Sequence, residues 1–319
     1  MNRWVLCVFL LAFFGRCLIA QEAPPGFGAA AQYRLGVGAR ALGLAWTGTA
    51  LSQGHDAVYW NPAALPVSAN TAGATQVFPF GGPDSLLGIE IQYLGLAIPL
   101  DQVGFGAGWF NSIVRDIPYT DESGIIGYFN YQSSLLLLGF GFRRQLGEGL
   151  ALALGTTAKV YFEQMLAGSA LGLGWDLGFT LDFKRFRLAY VSQDFLGTRY
   201  SWRGTVQQPE VEVPWVHRLG IAAEWLEGTL LTSIEAVFEL PSFLSLRGGL
   251  EWIFGKILAL RAGLRVDRQA DQWWPIFTAG LGVKQSWFSL DAGLALRALP
   301  AVGELSTTSV YGLSLELKL

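Results

Sequence analysis

The chain offers little for acid–base, nucleophilic or metal chemistry. It has two histidines, His55 and His217, too few for a histidine-rich metal site. His55 belongs to a turn and His217 to the start of a strand, so a serine–histidine pair is not expected and the chain is read as a non-enzyme with no cofactor. Gly139-Phe-Gly141 and Gly172-Leu-Gly174 resemble fragments of phosphate loops, but both lie inside strand patterns with no helix following. What the chain does offer is charge at alternating positions: Arg218 and Glu224, Glu235 and Glu239, Arg247 and Glu251, Arg261 and Arg265, Asp291 and Arg297. Side chains alternate faces along a strand, so each of these pairs projects from one face. Such a set makes either an ion-pair lattice that stiffens a wall or a ladder that binds substrate, and the lattice is the simpler reading.

The elements carrying these charges are strands of an unusual kind. In Leu171–Phe183 every odd position is large and apolar, and every even position is small or acidic. A soluble sandwich would bury the greasy face against a second sheet. Here the pattern recurs along the chain: hydrophobic residues make up 51% and charged ones only 15%, against roughly 25% in soluble domains. Past residue 20 no apolar run approaches the roughly 20 residues a membrane helix needs. Strands are then the only crossing element, because backbone groups in lipid must pair among themselves. Forty glycines and twelve tryptophans fit crowded inner walls and bilayer boundaries. An arginine facing lipid would cost roughly 2–4 kcal/mol at mid-depth, so the charges named above belong in a lumen.

The predicted fold is all-β: a transmembrane antiparallel barrel of about fourteen strands with a small N-terminal hatch. The strands are expected near 72–80, 86–98, 102–112, 131–144, 149–163, 169–183, 185–195, 214–226, 229–239, 243–253, 256–267, 274–284, 286–297 and 307–319. Short connections alternate with longer ones, of which 113–130 and 196–213 are the longest; only 240–242 breaks that parity. Unequal rims of this kind place the short turns and both termini in the periplasm. The first half of the wall differs from the second. Gly104, Gly106 and Gly108 with Phe110 share one face, and Leu135 and Leu137 lie in a run apolar on both sides. An apolar, roomy stretch of lumen would suit a greasy ligand or an inward-packed plug.

Residues 1–20 have the basic start, short apolar stretch and small final residue of a secretory signal. Both cysteines, Cys7 and Cys17, fall within it, leaving no disulfide or thiolate site after cleavage at Ala20. Arg16 stands where a lipoprotein site requires a small residue. Cleavage removes two arginines and no acid, shifting the formal charge from −3 to −5, so nucleic acid is not an expected partner. Residues 21–70 are assigned to the hatch and 71–319 to the barrel, in an outer membrane whose lipid is the first partner.

Within the hatch segment, Asn61 followed by Pro62 is a helix-start arrangement: the amide caps and proline occupies the first turn without losing a needed donor. Ala63, Ala64 and Leu65 would make a tight turn or two before Pro66 stops them. Gly38-Ala-Arg-Ala-Leu-Gly43 and Tyr59-Trp-Asn-Pro-Ala63 resemble the N-terminal signature of the PorV/PorQ family, relatives of the FadL-type fatty-acid transporters. Ser52–Asp56 replaces much of that signature's acidic stretch, and Ala64 stands where glycine is common. The chain's last residue, Leu319, replaces the aromatic usual in terminal strands of outer-membrane barrels. The resemblance implies a fourteen-stranded barrel whose hatch gates hydrophobic molecules that leave sideways through the wall. In PorV itself the barrel instead serves type IX secretion, passing cargo to a sortase. It therefore implies a hydrophobic small molecule or secretion-system proteins as partners. The hatch role carries over to Asn61, Pro62 and Ala63, and to Arg40, which would either pair with a lumen carboxylate or stand exposed to periplasmic solvent.

Overall fold

The computed structural model describes residues 30–80, 88–205, 209–239, 243–269, 272–300 and 305–319; the export segment and the connection 240–242 lie outside them. Among the described residues sixteen strands are formed in chain order. The first seven are β1 (Thr71–Phe80), β2 (Gly88–Leu100), β3 (Val103–Asp121), β4 (Gly124–Gly147), β5 (Leu150–Met165), β6 (Gly168–Phe183) and β7 (Phe186–Gln193). Two short ones follow, β8 (Arg199–Arg203) and β9 (Glu210–Glu212). The remainder are β10 (Val216–Trp225), β11 (Leu230–Glu239), β12 (Phe243–Phe254), β13 (Leu258–Gln269), β14 (Gln272–Lys284), β15 (Phe288–Pro300) and β16 (Leu305–Lys318). β1 to β7 and β10 to β16 pair antiparallel in order, β7 pairs with β10 and β16 with β1, so fourteen strands close into a ring. The β8–β9 pair continues β7 and β10 beyond a break in the wall.

The burial pattern runs opposite to that of a soluble protein. Along β6, Gly168, Ala170, Gly172, Gly174, Asp176, Gly178 and Thr180 are buried, whereas Leu171, Leu173, Trp175 and Leu177 are exposed. The same inversion appears on β4, where Leu135 and Leu137 are buried while Leu136, Leu138, Phe140 and Phe142 are open, Leu138 at 65%. Leu313, Leu315 and Leu317 extend this apolar exterior round to the last strand. Large apolar side chains outside and small or charged ones inside are what lipid on one side and a filled lumen on the other select. No helix among the described residues is long and apolar enough to cross a membrane.

Two departures from the expected strand limits concern the rim opposite the short turns. The span 113–130, read as a loop, is instead a hairpin in which β3 and β4 run on to a turn at Glu122–Ser123, with a register shift between Val114 and Ile117. The span 196–213 holds β8 and β9, so Thr198–Arg203, expected as an exposed loop, is largely strand. We call this the hairpin rim and its opposite, where β1 begins and β16 ends, the turn rim.

Candidate functional site

Inside the ring residues 30–70 form a plug in which five short helical turns are described: Ala31–Leu35, Ala39–Gly43, Gly54–Asp56, Ala57–Trp60 and Pro62–Val67. Asn61 organises the last of them. Its Oδ1 accepts from Ala63 N at 3.0 Å, and its Nδ2 donates to Thr49 O at 2.9 Å and to Thr180 Oγ1 on the wall at 3.1 Å. Pro62 takes the first position, as its neighbour predicts. Pro66 does not end the turn: a 3-10 turn this short asks no interior donor of it, and the turn runs to Val67.

The wall receives this plug on glycine. On twelve of the fourteen wall strands an inward glycine lies where a Cβ would meet the hatch, so the seat is continuous round most of the bore. Gly104, Gly141, Gly155 and Gly178 pair directly across β3 to β6 and form one rung. A Cβ on Gly141 would come within 2.5 Å of Pro62 O, one on Gly155 within 2.3 Å of Pro62 C, and one on Gly178 within 2.3 Å of Asn61 Oδ1. Gly280, Gly293 and Gly312 make a second rung, under Ala39–Gly43. Gly104 and Gly106 therefore do not open a roomy apolar lumen. They admit Leu65 and Val58 of the plug, and Gly108 lies against Tyr93 and Leu137. Phe110, Leu135 and Leu137 do face inward and are buried, in one cluster with Tyr33, Tyr59 and Val58.

The lumen charges form two groups that hold the plug to the second half of the wall. In the first, Glu235 receives Arg218 Nη1 at 3.2 Å, Arg247 Nη1 at 3.5 Å and the hatch amide Thr49 N at 2.9 Å. Arg247 also donates to Trp46 O, and the Arg218 guanidinium lies 5.1 Å from the Trp60 ring. In the second, Glu251 is held by Arg261 Nε at 2.6 Å, Lys284 Nζ at 3.4 Å and both forks of Arg40, at 2.9 and 3.1 Å. Arg40 thus finds a lumen carboxylate, and its Nη1 ties Leu51 O. Burial works against the Arg40 charge, but Glu251 outweighs it and raises the arginine further. Arg261 reaches on to Asp291 at 2.7 Å, and Arg265 pairs with Asp267 while lying over Trp46. Glu224 shares the inward face but stands exposed at the turn rim. Of Glu239 and Arg297 only the backbone is described, in register with Val216 and Ile276.

Sequence reasoning missed a third group. Lys159 lies 2.7 Å from Asp176 and 2.9 Å from Asp194, which also accepts from Tyr161 at 2.7 Å. Asp194 opens the break between β7 and β8 with a left-handed φ of 56°, followed by Leu196 at 75°. Nothing in the local sequence separated this break from a surface loop. His55 is in a hatch turn, as expected, but its surroundings are new. Nδ1 lies 3.0 Å from Glu316 on β16 and Nε2 3.1 Å from Asp56. Burial alone would lower this imidazole, yet Asp56 and Glu316 raise it, while burial pushes the Asp56 carboxyl up.

Cavities lie on both faces of the plug. Toward the turn rim are two, of about 320 and 370 Å³, that share Arg40, Leu51, Gln53 and Lys284. Toward the hairpin rim is one of about 50 Å³, lined by Tyr33, Tyr59, Leu135 and Tyr161, with Asp194 and Pro214 from beside the wall break. Tyr59 lines the small cavity and Trp60 a large one, so these consecutive residues are part of the partition between them.

No protein-family model and no curated protein matches the chain in sequence. Its fold, however, is shared by solved structures. The CymD monoaromatic hydrocarbon channel superposes with a TM-score of 0.64 at 15% identity, over 89% of this chain and 98% of that one. The toluene transporter TbuX of Ralstonia pickettii gives 0.61 at 12% identity, over 89% and 98%. The toluene transporter TodX of Pseudomonas putida gives 0.59 at 15% identity, over 88% and 97%. At these identities the likeness is one of architecture: a closed fourteen-stranded barrel built as these channels are.

Proposed function

We propose that the chain is an outer-membrane channel of the FadL type, passing small hydrophobic compounds, with the segment before β1 as its gate. The observation that carries this reading is the pair of cavity regions on opposite faces of a hatch seated inside an oily-walled closed barrel. The likeness in fold to hydrocarbon channels and the PorV/PorQ-like hatch motif support it. The secretory signal at 1–20 supports export, with the hairpin rim facing outward and both barrel termini in the periplasm. The wall break at 194–198 lies beside the smaller cavity and supports a sideways exit. Transport is preferred to a role in type IX secretion because the likeness in fold runs to hydrocarbon channels. The test is uptake of toluene and of a long-chain fatty acid by cells with and without the gene. Faster uptake of at least one is expected with it; equal uptake of both overturns the reading.

A further inference from the structure

Tyr33 is the one aromatic ring that the first hatch turn inserts into the lumen wall cluster, and its surroundings have the form of a binding site. Its ring meets Phe110 edge-on at 4.9 Å and Tyr161 at 5.5 Å, and Tyr59 lies parallel to Phe110 on the same cluster. Its hydroxyl lies 2.5 Å from Ser133 Oγ, and Ser133 in turn donates to Glu163 Oε1 at 2.7 Å. Tyr131 also donates to Glu163, and Gln32 Nε2 donates to Ser133 at 2.6 Å. A buried, ring-lined box with an oriented acceptor at its end is how a small-molecule site combines burial with direction. The acceptor is set by the wall, since Ser133 commits its own proton to Glu163 and, with Gln32 donating to one lone pair, keeps the other for an incoming donor.

The turn that delivers Tyr33 is short. It spans five residues, Ala31–Leu35, and starts from Ala30 in the left-handed region at φ 61°. Its fixed points include the Tyr33 side chain, the Tyr59 hydroxyl on Tyr33 O, and Trp46 Nε1 on Leu35 O. The cavity of about 50 Å³ beside Tyr33 is too small for a ring by itself. Adding the space of the tyrosine side chain brings it to the order of the 150 Å³ that admits benzene.

We propose that Tyr33 is a built-in occupant of the ligand site, and that the compound which displaces it is a single-ring phenol whose hydroxyl donates to Ser133. This deepens the transport reading and rests on it: the hatch closes on its own side chain, and the ligand opens the site by substituting for that side chain. The neutral, donor-bearing ring is selected because each lumen cation around the cavity is already matched. Lys159 has Asp176 and Asp194, Arg218 and Arg247 share Glu235, and Arg265 has Asp267.

The test uses the full chain in detergent micelles with 4-methylphenol, the tyrosine side chain as a free molecule, and toluene, the same ring without the hydroxyl. Tyr33→Ala should bind 4-methylphenol about three- to tenfold more tightly than toluene by calorimetric titration, the value of one neutral hydrogen bond. Ser133→Ala in that background should erase the preference, and the wild type should bind both more weakly than Tyr33→Ala does. Tyr33→Phe, which keeps the ring in place, carries the test if the alanine variant does not fold: 4-methylphenol should then bind more tightly than to wild type by the same factor. Equal affinity for the two compounds in Tyr33→Ala, or wild-type binding as tight as the variant's, overturns the proposal. Uptake of hydrophobic compounds without this preference sinks the phenol site alone, and the preference without any uptake sinks the transport reading alone.

Discussion

At the scale of single residues the molecule depends on what glycine leaves out. Gly155 faces the carbonyl carbon of Pro62 and the amide of Ala63, both backbone atoms that cannot swing aside. Gly155→Val should therefore unseat the last hatch turn or strain the wall, at a cost of about 1–3 kcal/mol. A denaturant midpoint in detergent reads this, with Gly127→Val as control, since nothing lies within 4 Å of a Cβ there. The same comparison shows where sequence reasoning stopped. The Asn61-Pro62 cap was legible because its partners are two residues apart. The glycine rung was not, because Gly104, Gly141, Gly155 and Gly178 become neighbours only once four strands are in register. Without that register the glycines fitted a ligand's space as well as a plug's seat, and nothing local chose between them.

At the scale of elements, two of the attachments that bind the plug to the wall each have their own signature. Glu235 joins β11 to Arg218 on β10, Arg247 on β12 and the hatch amide at Thr49, all buried. Removing one member of a buried ionic group leaves the others uncompensated, at about 3–5 kcal/mol. Glu235→Ala is thus expected to lower stability by that much in equilibrium unfolding from detergent, whereas Glu224→Ala, at the exposed turn rim, is expected to be near neutral. The second attachment is His55, with a carboxylate at each ring nitrogen. Two acceptors suit the imidazolium, which has two N–H donors. The folded value is raised above the ordinary one near 6.5, so this contribution is complete below about pH 6.5 and is lost as pH rises through the higher folded value. Wild type should lose stability relative to His55→Gln as pH rises through that window, and parallel pH curves for the two proteins would refute the latch. The inward alternation of Arg218, Glu235, Arg247, Glu251 and Arg261 was legible from the two-residue strand period. Their partners in the hatch were not, because a plug contact obeys no period at all. The hairpin at 113–130 was missed for a related reason: beyond the bilayer nothing imposes an apolar outer face, and the alternation that marks the other strands fades.

At the scale of the whole molecule, the decisive property is which side of the ring is oily. Leu138, 65% exposed on β4, stands on the face that meets lipid, and its neighbour Leu137 is buried against the plug. Leu138→Arg should cost roughly 2–4 kcal/mol when the protein is folded into a bilayer. In a soluble sandwich with the opposite burial, an exposed position of this kind would be indifferent to the change. Folding efficiency into phospholipid vesicles separates these outcomes. The closed ring itself was readable from composition, from the recurring two-sided segments and from the short turns, because each reflects the lipid directly.

If the hatch moves as the proposed gate requires, the glycine seat would also set how wide a pathway opens. Along the rung of Gly104, Gly141, Gly155 and Gly178 and that of Gly280, Gly293 and Gly312 the wall has no side chains of its own, so its clear width there is fixed by main chain. Elsewhere along the axis arginines, glutamates and rings narrow it. On that reading the stretches of wall that hold the plug at rest would give the most room on opening, and any later selection among permeants would fall to the side chains around them.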